Sequence, residues 1–232
     1  KYLAAAGIQV DLYHTCPSPV QRSIEYREFF TETEIARINF ILVEWPESGV
    51  YPGHYLRESY IFSKCLFERM VALDPPDLIY AKGYTAWYLL KKGFNAPIVV
   101  NFHGVEFLQP GFSLPERLSQ LLLRYPALRQ MKMADRVISY GGGITRILAK
   151  YIDRNKIVEI PAAIAASWLN NSTLQQREVV RFCFVGREER RKAIPELHAV
   201  IRELLPEFDF EFHFVGEMRQ TRKIESSKIF YH

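Results

Sequence analysis

Apolar, β-branched runs alternate with helix-spaced segments along the whole chain, and this rhythm restricts the fold more than any single motif does. Residues 7–15, "GIQVDLYHT", read as a strand entered through a glycine that ends a preceding helix. The runs at 36–45, 76–83, 97–104, 135–140 and 156–162 read as further strands. Between them, 55–73, 86–92, 116–134 and 143–152 carry helical spacing, with Leu56, Tyr60, Phe67 and Met70 marking the first. Pro126 is expected to kink the third helix or restart it. Strands buried on both faces are apolar almost without interruption, and alternation with helices implies parallel crossovers. The expected class is therefore α/β, with doubly wound parallel sheets.

A polar stretch at 170–178, "NNSTLQQRE", interrupts the rhythm and reads as a linker. A strand at 180–186, a helix at 194–205, a strand at 210–216 and the start of another at 228–232 follow it. The expected organisation is a first domain over 1–169, the linker at 170–178, and the start of a second domain over 179–232. The opening "KYLAAAG" reads as the tail of a helix, so the strand that a doubly wound sheet places at its centre is expected upstream of Lys1. Three strands and one clear helix cannot cover both faces of a sheet, so the second domain is expected to be incomplete.

Composition excludes several classes. Of the 232 residues, 48% are hydrophobic and 24% charged, which rules out a disordered chain. Thirty Lys and Arg against 26 Asp and Glu leave +4, too small and scattered a charge to argue for nucleic acid. Three widely separated cysteines, Cys16, Cys65 and Cys183, form neither a disulfide framework nor a metal cluster and fit a reducing, cytoplasmic setting. No apolar run approaches the roughly 18 residues of a membrane span. The stretch with Arg117, Arg124, Arg129, Lys132, Leu121, Leu122 and Leu128 reads as a core helix with a solvated basic face. The alternative is peripheral contact with an anionic membrane surface, which would place the chain at the inner face of the membrane.

Three places could carry chemistry. In "VGREERRK" a buried strand ends at Gly186, and a charged turn containing Arg187 and Lys192 leads into a helix. Loops at the carboxyl ends of parallel strands are where open α/β sheets bind ligands. A fork-shaped guanidinium, an ammonium and a helix N-terminus together suit a diphosphate. The other reading is a solvated loop whose charges neutralise one another. In "NFHGVEF", His103 stands between a buried strand and Gly104, where an imidazole could hydrogen-bond a hydroxyl, and Glu106 follows as an acceptor. The alternative is a histidine tied to nearby backbone. "ISYGGGITRI" (138–147) is a tight glycine turn before a helix, but Arg146 stands where a dinucleotide fingerprint needs glycine. No D-x-D pair, Walker loop, H-E-x-x-H helix or G-x-S-x-G elbow occurs, and no metal site is expected.

Taken in order, "AAAGIQVDLY", "PIVVNFHGVEF", "MADRVISYGGGITRILAKYIDRNKIVEIPAAI", "RFCFVGREERRKAIPELHAVIREL" and "FEFHFVGE" resemble successive motifs of the glycosyl transferases group 1 family. The resemblance implies a GT-B architecture of two Rossmann-like domains, an acceptor-side domain followed by a nucleotide-sugar domain. It implies transfer of a sugar with retention and without metal or cofactor, from a UDP- or GDP-linked donor to a glycan, lipid or small-molecule acceptor. By the same resemblance Arg187 and Lys192 would hold the donor diphosphate and His103 would be the catalytic histidine near the transferred sugar. Gly186, Gly216, Gly104 and Glu106 would line the nucleotide cleft. Ala193 stands where the family usually has glycine, and "IPAAIAASWL" replaces its asparagine–glycine. The family's glycine-rich loop and its paired glutamates lie outside this sequence, so the 232-residue chain is expected to be inactive by itself. Two alternatives remain: a non-catalytic transferase-like binding module of a glycan-assembly complex, and a GT-B nucleotide-sugar 2-epimerase.

Overall fold

The computed structural model describes residues 1–15, 30–164, 179–219 and 223–232. The chain divides into two compact units, Lys1–Ile164 and Ala165–His232. The stretch at 170–178, read above as a linker, lies outside the described residues. Every strand ladder among the described residues is parallel, and every described helix but the first lies between two successive strands, which is the α/β plan that the alternation dictated.

In the first unit, α1 (Tyr2–Ala5) leads into β1 (Val10–His14). The short α2 (Glu32–Ile35) is closed by a capping box between Thr31 and Glu34, and leads to β2 (Ile38–Leu42). The helix α3 (His54–Met70) then precedes β3 (Ile79–Lys82), α4 (Trp87–Lys92) and β4 (Ile98–Asn101). The unit is completed by α5 (Leu114–Met133), β5 (Arg136–Ser139), α6 (Gly142–Leu148) and β6 (Ile157–Glu159). The described strands form two sheets: β1 pairs with β2, and β3, β4, β5 and β6 pair in that order. Both sheets nevertheless share one core, in which Tyr13, Ile41 and Val43 meet Phe62, Leu66 and Met70 of α3 together with Val100 and Val137.

Glu58 of α3 is buried and anchors the loop after β2. Its carboxylate accepts hydrogen bonds from the Ser48 amide at 2.9 Å, the Ser48 hydroxyl at 2.8 Å and the Trp45 indole at 3.2 Å. The Ser48 amide first, and then these other donors, stabilise the carboxylate and lower its pKa to about 2.

The helix α5 runs unbroken through Pro126, so of the two effects expected of the proline a restart does not occur. The carbonyl left without an amide partner belongs to Leu122, whose residue faces water. Leu121 and Leu122, read from sequence as part of a core helix, are exposed, while Pro126, Ala127, Gln130 and Met131 take the buried side. Among the described residues no helix is long and apolar enough to cross a membrane.

The second unit carries β7 (Val180–Val185), α7 (Ile194–Leu204), β8 (Phe210–Val215) and β9 (Ile229–Tyr231), with strand order β7, β8, β9. Ile201 of α7 packs on Phe210, Phe212 and Phe214 of β8 and Ile229 of β9. His198, buried on the same helix face, meets the Phe214 ring edge-on, and burial lowers its pKa. Phe182 and Val185 of β7 remain exposed.

Candidate functional site

In parallel pairing, residues at equal offsets on neighbouring strands lie side by side, and this rule builds both candidate sites. Val100 of β4 stands opposite Val137 of β5. Carried three residues past that pair, the same register sets His103 beside Tyr140. The Tyr140 hydroxyl lies 2.6 Å from His103 Nδ1, and the two rings stack with centroids 5.8 Å apart. Asn101, the last residue of β4 and 3% exposed, organises the group from below. Its Oδ1 accepts the His103 backbone N–H at 2.8 Å, which fixes the side-chain amide as donor. That amide donates to the hydroxyls of Tyr140, at 3.1 Å, and of Tyr80 on β3.

Tyr140 accepts from Asn101 and keeps its own O–H for a further partner. When that O–H is donated to His103 Nδ1, a neutral imidazole carries its proton on Nε2 and presents an Nε2–H donor. The His103 backbone lies in the left-handed region, with φ +48°, a conformation that costs a non-glycine residue roughly 1–3 kcal/mol and collects at functional sites. The bond from its N–H to Asn101 helps hold that conformation.

Glu106 starts the short turn Glu106–Leu108 and lies in the same loop. Its carboxylate folds back over Gly104 so closely that any Cβ there would collide with it. The backbone at Gly104 is thus covered by Glu106. Of this group, only His103, Gly104 and Glu106 were legible in the sequence. Asn101 and Tyr140 were missed, although each is a polar residue closing an apolar strand run, which was a usable signal.

The second unit repeats the register rule. Val185 of β7 faces Val215 of β8, so Gly186 and Gly216 end their strands side by side. The Gly186 amide donates to the Val215 carbonyl at 3.0 Å. Gly216 has φ +129°, and a side chain there would strike the Gly186 carbonyl. Only glycine permits this approach, and the two residues leave bare backbone at the carboxyl edge of the sheet.

Beyond Gly186 the charged turn is laced together. Arg187, 81% exposed on its side chain, reaches Glu189 at 3.0 Å, and Glu189 also binds Arg191. These arginines hold the Glu189 carboxyl below its ordinary range, with Arg191 the larger influence. Arg190 pairs with Glu196 in the first turn of α7. Glu188 accepts the backbone N–H of Arg219 at 2.8 Å. Lys192 makes no ion pair among the described residues and stands directly before α7. The turn into that helix passes through Ala193 in left-handed conformation, φ +53° and ψ +34°, at the position where the group 1 resemblance has glycine. The mutual neutralisation weighed from the sequence is thus realised at Arg187, Arg190 and Arg191. Lys192 closes the turn Arg190–Lys192, and Ala193 alone separates it from α7.

Parallel sheets in two units, with glycine turns and polar residues at their carboxyl ends, are Rossmann-like, and the chain's family match and structural neighbours make the architecture GT-B. The chain belongs to Glycosyltransferase Family 4, whose model matches residues 1–168. No curated protein matches the chain significantly. Among solved structures it is similar to sucrose-phosphate synthase from Thermosynechococcus elongatus, with a TM-score of 0.65, 18% identity, and coverage of 95% of this chain and 55% of that one. A UGT transferase from Siraitia grosvenorii solved in complex with UDP matches with a TM-score of 0.54 and 12% identity, over 96% of this chain and 66% of its own. A candidate UDP-N-acetylglucosamine 2-epimerase from Listeria monocytogenes matches with a TM-score of 0.50 and 14% identity, over 91% and 55%. The chain thus spans between 55% and 66% of the length of these structures. At such identities the likeness is one of fold.

Proposed function

We propose that the chain is part of a glycosyltransferase that takes a sugar from a nucleotide-sugar donor, with retention and without metal, and passes it to a glycan, lipid or small-molecule acceptor. The observation that supports this reading is the paired glycine platform, Gly186 beside Gly216, with Arg187, Lys192 and the start of α7 following Gly186 in the sequence. Bare backbone lets a nucleotide approach closely. A positive helix end and two cations would balance the charge that develops on a departing diphosphate. Arg187 serves this role by exchanging Glu189 for phosphate oxygens, so Glu189 acts as the competitor that holds the site closed to anions. In the first unit, His103 would donate from Nε2 to a sugar hydroxyl, with Tyr140 and Asn101 as positioning residues. No step requires an enzyme nucleophile.

Calorimetric titration of UDP and GDP into the chain tests this. Arg187→Ala and Lys192→Ala should each weaken binding by about 1.5–3 kcal/mol, the value of a charged hydrogen bond, and Glu189→Gln should strengthen it. A solvated charge network with no anion to hold would show none of these changes, and neither would a non-catalytic binding module that makes no use of the turn. The pairing of Arg187 with Glu189 is what favours that second reading. UDP affinity equal to that of the native chain in all three variants would overturn the diphosphate role of Arg187 and Lys192.

A further inference from the structure

The helix α5 turns a strip of large apolar side chains outward. Leu114, Leu118, Leu121, Leu122 and Tyr125 recur at spacings of three and four, which sets them on one side of the helix. Each is between 52% and 73% exposed. Pro126, Ala127, Gln130 and Met131 fill the buried side, so the outer strip is not a core face left bare by accident of register. Arg129 and Lys132 continue the strip toward the end of the helix, and Arg117 flanks its beginning. The helix contains a single acid, Glu116, which is turned back to accept the Phe112 backbone N–H at 2.7 Å. Five adjoining apolar residues on a surface call for a partner, and the charges around them select it. A second copy of this strip offers the same cations and no acid. A bilayer with anionic lipids offers both an apolar boundary for the leucines and phosphates for the arginines and the lysine.

The strip is also tied to the His103 loop. Arg124 Nε donates to the Phe107 carbonyl at 2.8 Å, and Arg117 Nε to the Gly111 carbonyl at 3.0 Å. The loop from β4 and the first half of α5 are therefore one body. We infer that the outer strip of α5 seats this chain on a membrane surface rich in anionic lipid, bringing the His103 loop to that surface with it. The inference stands independently of the nucleotide reading above, because it concerns a different face and a different ligand.

Co-sedimentation of the 232-residue chain with phosphatidylcholine vesicles, with and without 30 mol% phosphatidylserine, tests it at low salt. Binding should require the anionic lipid. The double variant Leu118→Asp/Leu121→Asp should lose at least about tenfold in partition, since two exposed side chains no longer enter the apolar boundary. Arg129→Gln and Lys132→Gln should each cost about fivefold. Circular dichroism and melting temperature should stay unchanged, because all four side chains face water. Failure to bind anionic vesicles, equal binding to both compositions, or undiminished binding by the double variant would overturn the inference. A concentration-dependent dimer dissolved by the double variant, without vesicle binding, would assign the strip to a second copy and overturn it equally.

Discussion

Replacing Tyr140 with Phe removes one oxygen and tests the whole arrangement around His103. The lost hydroxyl is hydrogen-bonded to His103 Nδ1, as its donor when the imidazole proton is on Nε2, and accepts from the Asn101 amide. The bond to His103 lies at the surface, where water replaces it, so its loss costs toward the low end of roughly 0.5–1.5 kcal/mol. Asn101 is buried, keeps Tyr80 for one amide hydrogen and leaves the other without a partner, at about 1–3 kcal/mol. The two together come to about 2 kcal/mol, or roughly 4–8 °C in melting temperature for a chain of this size. Urea unfolding followed by intrinsic fluorescence measures the first quantity. Long-range nitrogen–proton correlation of the imidazole measures the second effect. His103 should carry its proton on Nε2 in the native chain and divide between both nitrogens in Tyr140→Phe. A native His103 protonated on Nδ1, or a variant as stable as the native chain, would refute the reasoning, since either requires the hydroxyl to be oriented otherwise.

Two further outcomes are expected. Ala193 occupies a left-handed conformation that costs alanine about 1–2 kcal/mol, while the extra freedom of glycine in the unfolded chain returns roughly 0.4–1 kcal/mol. Ala193→Gly should therefore raise stability by about 0.5–1 kcal/mol and slow amide exchange in α7, and faster exchange would count against the strain. The pKa of Glu58 is depressed to about 2 in the folded chain, against about 4.3 for a free glutamate. A depressed carboxylate contributes stability that is complete above the unfolded value and disappears as pH falls toward the folded one. Unfolding free energy should accordingly drop between about pH 4.3 and pH 2, and Glu58→Gln should flatten that limb; superimposable pH curves would exclude the clamp on Ser48 and Trp45.

What the order of residues determined by itself is the architecture. Apolar strand runs separated by helical spacing can bury both faces only in parallel sheets covered by helices; parallel sheets are present in both units, while β7 of the second unit leaves Phe182 and Val185 exposed. The glycines at 186 and 216 and the cations at 187 and 192 were likewise visible, because strand ends and turn residues are local properties. Tertiary structure alone decided what meets what. The pairing of β4 with β5 joins His103 to Tyr140 across 37 residues, and no local propensity encodes the register that does so. The exposure of α5 was misread for a related reason. Its sequence carries apolar residues on opposite sides, Leu118 and Leu121 on one and Ala127 and Met131 on the other, and periodicity ranks neither. Which side is buried depends on the volume available beneath the helix, where Ala127 and Met131 fit against the sheet, and that volume is set by strands far away in the chain.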